Sequence, residues 1–136
     1  MIVQRFYIDD YDWTVTAYYA VTRYYVDEIM SDLESLCSDC GFLHKAYINL
    51  IENKLNSGLT CSNYRKRETV MVVALASSAK DFHQALMHEV RHLQSHIATA
   101  YEIDEKSEEV CYLLDDIVGE IHSVVAPLIC ECCRKH

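Results

Sequence analysis

The stretch "ALMHEVRHLQSHI", residues 85–97, carries an apolar pattern and a run of ionisable side chains on the same few turns. With Phe82 just upstream, Leu86, Val90, Leu93 and Ile97 recur at spacings of four, four, three and four. On an α-helix these five positions fall within about 80° of one another, so the spacing predicts an amphipathic helix over 79–100. His88 and His92 lie one turn apart, about 6 Å along the axis and 40° around it, and both imidazoles can reach a single ion. They point roughly 140° away from the centre of the apolar stripe, whereas a histidine satisfied inside a core would sit on it. Glu89 follows the first histidine and projects so that its carboxylate can hold a water on such an ion without binding the ion itself. The three residues spell H-E-x-x-H, which arises by accident about 0.03 times in a chain of this length and composition. The plain alternative is a solvated helix face that happens to carry histidines.

His96 continues the ladder but is excluded as a third ligand. Eight residues separate its Cα from that of His88 by about 12 Å, too far for both to bind one ion at about 2.1 Å on an unbroken helix. It is expected to be a supporting or surface group. The third ligand is therefore sought on the next helix, where "KSEEVCYLLDDI" (106–117) offers Glu108 and Glu109. On a wheel of residues 104–129, Glu108 shares a side with Tyr112, Asp115 and His122. That side lies opposite a core stripe of Val110, Leu114, Ile117, Ile121, Val124 and Leu128, and Glu109 points about 100° elsewhere. An acidic first turn is also favourable to the helix dipole with no metal present.

Working outward, "IVQRFYI" (2–8) and "WTVTAYYAV" (13–21) flank Asp-Asp-Tyr-Asp and read as a hairpin. In the second run Trp13, Val15, Ala17, Tyr19 and Val21 alternate onto one face. From Tyr24 the period becomes helical, with helices expected over 24–38 and 42–56, separated by "CSDCG". The second is expected to end at Ser57-Gly58 with Gly58 as a left-handed cap. The β-branched run 68–76 reads as a buried strand, and the basic turn 64–67 closes a second hairpin. The expectation is an α+β fold, one domain over residues 1–136, with a short sheet, about four helices, and the H-E-x-x-H helix directly after strand 68–76.

Composition narrows the function. Twelve basic against twenty-one acidic residues give a net charge of −9, which phosphate backbones repel, so no nucleic-acid partner is expected. No apolar run reaches the roughly 18 residues of a membrane span, and the opening residues lack the pattern of an export signal, so a cytosolic chain without membrane attachment is expected. Seven cysteines are then expected as thiols or metal ligands rather than a disulfide frame. "CECCRKH" (130–136) has the ligand types of a metal site, and Cys37 and Cys40 form a C-x-x-C that could complete it or act as a redox pair. A frayed tail and buried free cysteines are the plainer accounts of both.

These residues resemble the gluzincin metallopeptidases, with H-E-x-x-H on one helix and a Glu from a following helix. They are more similar still to small zincin-like proteins of bacterial phages and mobile elements, through His88 to Ile97 and the E-x-x-x-Y-L of Glu108 to Leu113. The likeness covers about residues 68–122. It implies a zincin-like fold, Zn2+ as cofactor bound by His88, His92 and Glu108 (Glu109 as substitute), and Glu89 as general base. It further implies a peptide or protein substrate that pairs with strand 68–76, with Tyr112 or His122 stabilising the oxyanion. The expected function is a zinc-dependent peptidase. The alternative is a non-catalytic zincin-like metal-binding module that acts through a protein partner.

Overall fold

The computed structural model describes residues 1–22, 25–52 and 58–134. Four strands, β1 (Ile2–Ile8), β2 (Trp13–Val21), β3 (Gly58–Asn63) and β4 (Glu68–Ala74), form one sheet in the order β1-β2-β4-β3. Five helices accompany it among the described residues: α1 (Val26–Leu36), α2 (Cys40–Ile51), α3 (Ala79–Ala100), α4 (Glu108–Val125) and α5 (Glu131–Arg134). The fold is α+β, and the sheet is mixed, because β2 and β4 run parallel while both hairpins are antiparallel. The expected start of α1 at Tyr24, the end of α2 at 53–57, and His136 lie outside the described residues.

Helices cover both faces of the sheet. Trp13, Val15, Ala17 and Tyr19 of β2, with Met71 and Val73 of β4, pack against Phe82, Leu86, Val90, Leu93 and Ile97 of α3 and Leu113, Ile117 and Ile121 of α4. Tyr18, Val70, Val72 and Cys61 face the other way, toward Ile29, Leu33 and Leu36 of α1 and Ala46 and Leu50 of α2. One position departs from strict alternation. Val21 is expected beside Tyr19 but joins the α1 side, because Ala20 has φ 59° and the β2–β4 register shifts there. A bulge of one residue moves the side chain that follows it to the opposite face.

The hairpin turns use local polar chemistry. Asp12 closes the first in the left-handed region (φ 49°) and holds Arg67 at 3.0 Å, while Asn63 Oδ1 accepts from the Lys66 N–H across the second. Gly58 is not a helix cap. The described part of α2 ends at Ile51, capped by Glu52, and Gly58 opens β3 with φ 149°. A Cβ there would lie 1.8 Å from the Val72 carbonyl oxygen, so close approach of two strand backbones is what requires glycine. Strand 68–76 also ends early, at Ala74, and lies between β2 and β3. Both its edges are paired, so it has no free backbone row for an extended peptide. The open edges of the sheet belong to β1 and β3.

The site helix has a defined start and stop. Ser78 Oγ accepts from the Asp81 N–H at the N-cap of α3. At the other end Glu102 adopts φ 54°, and the N–H groups of Glu102 and Ile103 reach the carbonyls of Thr99 and Ala98. This is a Schellman closure with Glu in the place glycine usually takes. The buried Gln94 then donates to the Val110 carbonyl at 2.9 Å, fixing the first turn of α4 against α3.

Two expectations about cysteine are corrected. Cys37 is bonded to Cys61, so it pairs with neither Cys40 nor the tail, and the chain carries a disulfide. The packing of α1 on the sheet causes this, since Asn63 Nδ2 donates to the Leu36 carbonyl and draws the end of α1 onto β3. Nor is the described part of the tail, as far as Arg134, frayed: Arg134 donates to the Ala76 carbonyl and Glu131 accepts from the Ala79 N–H. No helix among the described residues is long and apolar enough to cross a membrane. The disulfide closes a span of 24 residues, for which loop-closure entropy gives about 3 kcal/mol of stabilisation. Urea denaturation of the Cys37→Ser/Cys61→Ser double variant is expected to show a loss of that order, and a loss under about 0.5 kcal/mol would show that the bond constrains nothing.

Candidate metal centre

The roll of α3 about its axis is set by the Phe82–Ile97 stripe, every member of which is buried against the sheet. His88 and His92 consequently face solvent, and their Nε2 atoms stand 3.2 Å apart. Two nitrogens each about 2.1 Å from one tetrahedral ion would be about 3.4 Å apart. The imidazoles are therefore already at ligand spacing, with rings inclined at 74° and centroids 4.9 Å apart.

Glu89 occupies a different environment. It lies about 60° around the helix from His92, under the edge strand, and is only 2% exposed. Thr60 Oγ1 donates to its Oε1 at 2.8 Å, and also approaches the Glu89 backbone carbonyl at 3.4 Å. The carboxylate is thus held between α3 and β3, where a buried charge needs such donors. His96 sits on the same flank, half-buried. Its Nδ1 is 2.7 Å from Ser62 Oγ, which lies 2.7 Å from Thr69 Oγ1, which in turn accepts from Trp13 Nε1 at 2.8 Å. Tyr64 packs edge-on against both His96 and Trp13.

The residues proposed from α4 are placed less favourably. Among the described residues no group of three or more His, Cys, Asp or Glu side chains is positioned to hold a metal ion, so neither Glu108 nor Glu109 joins the histidine pair. Both are exposed, and Glu109 accepts a hydrogen bond from Tyr11 at 3.3 Å. Between the two helices, Arg91 and Ser95 engage Glu105 instead. Tyr112 and His122 are exposed on α4. A cavity of about 470 Å³ opens beside His88, walled by Ala74, Ala76, Asp81, Gln84 and Ala85.

The sequence reading missed Thr60, Ser62 and Thr69. The available signal was the alternation in "TCSN", which puts Thr60 and Ser62 on one face of a strand and Cys61 on the other. Compared with known proteins, the chain matches no family model, no curated protein and no solved structure.

Two outcomes follow from this geometry. Thr60→Val removes the hydroxyl donor to a buried carboxylate and is expected to cost about 1–3 kcal/mol, with Thr60→Ser costing clearly less; equal losses in urea titrations would point to packing alone. Burial, and after it the charge of His92, hold the His96 imidazole below its ordinary value. The folded state therefore favours the neutral ring. Its contribution is whole above about pH 6.5 and is lost as pH falls, because the unfolded chain takes up the proton first. His96→Gln is expected to flatten the decline in stability between about pH 6.5 and 5, and an unchanged slope would refute this account.

Proposed function

We propose that the chain is a zincin-like, zinc-dependent hydrolase acting on peptide bonds. The observation that carries this reading is the 3.2 Å spacing of His88 and His92 Nε2 on an exposed helix face, one residue away from a buried carboxylate. The two imidazoles fit an ion. The third protein ligand, Glu108 with Glu109 as substitute, is proposed from the acidic first turn of α4 and would have to turn toward the pair. A bound zinc would supply Lewis acidity and an acidified water.

The chain's own residues have distinct tasks in this scheme. Glu89 accepts a proton at its carboxylate as general base, and Thr60 fixes the orientation of Oε1, so the base is held rather than swinging in solvent. Tyr112 or His122 would stabilise the developing oxyanion. Phage-type zincin-like proteins are the proposed kin. We also propose a cytosolic setting, supported by five free cysteines, four of them exposed. Cys37–Cys61 argues against it, because reducing compartments hold few structural disulfides.

A second reading, a non-catalytic metal-binding module working through a protein partner, is favoured by the depth at which Glu89 is buried. Elemental analysis after dialysis against zinc, run beside cleavage of a mixed peptide library, separates the two. Glu89→Gln is expected to keep its zinc while cleavage falls by at least about 10²-fold. His92→Ala is expected to lose both. Loss of zinc in Glu89→Gln contradicts the base assignment, and zinc without cleavage by the unaltered chain between about pH 6 and 9 supports the module. Comparing Glu108→Ala with Glu109→Ala for zinc affinity assigns the third ligand, with the larger loss expected at 108.

A further inference from the structure

The tail carries three cysteines that the metal centre does not use. Cys130 and Cys133 are spaced as C-x-x-C, with Cys130 just before α5 and its carbonyl accepting the Arg134 N–H that closes the turn, so the two residues are neighbours on one face of it. Cys133 is exposed and Cys130 half-buried. The turn that presents them is pinned at both ends. Ile129 N–H bonds the Val125 carbonyl at 3.2 Å, Arg134 N–H bonds the Cys130 carbonyl at 3.0 Å, and the Arg134 guanidinium reaches the Ala76 carbonyl at 2.6 Å. Cys132 is exposed and lies two residues after Cys130 and one before Cys133, so on the turn its side chain points about 100° away from that of Cys133.

We propose that Cys130 and Cys133 form a redox-active dithiol that a small-molecule disulfide, such as oxidised glutathione, converts reversibly to an intramolecular disulfide, with Cys132 a bystander. The Cys130 thiolate attacks one sulfur of the glutathione disulfide, forming a mixed disulfide and expelling one glutathione thiolate, which takes up a proton. Cys133 then loses its proton and attacks the Cys130 sulfur, forming the Cys130–Cys133 bond and releasing the second glutathione thiol. The protein dithiol is oxidised by two electrons and the glutathione disulfide is reduced to two thiols. Hydrogen bonding from Cys133, backbone and side chain, and from the Cys132 backbone lowers the Cys130 thiol from its ordinary value, while hydrogen bonding to Cys130 raises Cys133. That division suits Cys130 as the attacking sulfur and Cys133 as the resolving one. Cys37–Cys61 is already a disulfide in the same structure, and Cys40 and Cys111 are single exposed thiols.

The test equilibrates the full chain in graded reduced and oxidised glutathione, quenches with acid, alkylates, digests and maps thiols by mass spectrometry. A Cys130–Cys133 link with Cys132 alkylated is expected as the main oxidised product. In brief alkylation of the reduced chain at neutral pH, Cys130 is expected to react at least about threefold faster than Cys132. Cys133→Ser is expected to arrest Cys130 as a mixed disulfide with glutathione, and Cys132→Ser to leave the link unchanged. Disulfides distributed evenly among the three cysteines, or Cys130 reacting no faster than Cys132, would overturn the proposal. So would Cys133→Ser failing to accumulate the mixed disulfide.

Discussion

The packing of α3 against the sheet is the constraint on which the rest of the molecule depends. Phe82, Leu86, Val90, Leu93 and Ile97 are each at most 2% exposed, and each such side chain gains about 1.5–3 kcal/mol by burial. Rolling the helix by one residue, about 100°, would carry Arg91 and Gln94 toward the sheet and expose this stripe. The helix therefore has one stable rotation, and every polar side chain on it inherits its direction from that rotation. His88 and His92 face outward, Gln94 faces α4, and Glu89 and His96 face the edge strand. The direction of the candidate centre is thus a by-product of core packing.

Strand β3 couples that helix to the opposite layer. Thr60 and Ser62 bond Glu89 and His96 of α3, while Cys61 and Asn63 bind Cys37 and Leu36 at the end of α1. Six residues of alternating strand are enough, because successive side chains of a strand leave on opposite faces. One consequence is that the position of Thr60 beside the buried carboxylate depends on α1 as well as on the sheet. Edge strands have few neighbours to define them, and here side-chain bonds on both faces supply what the missing strand partner would.

The sequence was most legible where a single period governs many residues. The span of α3 matches the expected 79–100, both hairpins form, and the α4 stripe holds, though its buried line runs through Leu113 and Val125, with Leu114, Val124 and Leu128 packed at its margin. Legibility failed at features decided by partners distant in sequence. Val21 changes face because of the backbone at Ala20, Gly58 is dictated by a carbonyl on the neighbouring strand, and Cys61 finds Cys37 through the docking of α1. The histidine pair was legible because one turn of helix sets its spacing. A third ligand from α4 depends on how two helices cross, and a wheel drawn for each helix alone contains no such term.

The polar chain behind the pair bears on how His96, the neighbour of His92, carries its proton. Trp13 can only donate, so Thr69 must accept from it and is left with one proton to give. If that proton goes to Ser62, the Ser62 hydroxyl is turned toward His96 Nδ1, and the ring keeps its own proton on Nε2. If His96 donates from Nδ1 instead, the Ser62 proton turns back toward Thr69. The first arrangement needs an unprotonated Nδ1 and hence a neutral ring, whereas in the second Nδ1 gives its proton to Ser62 whether or not Nε2 also carries one. Burial, which lowers His96, is what favours the neutral ring. A neutral His96 adds no positive charge next to His92, and metal ions bind imidazole in its neutral form. The hydroxyls of β3 and β4 reach the exposed pair only through His96, whose ring lies beside that of His92.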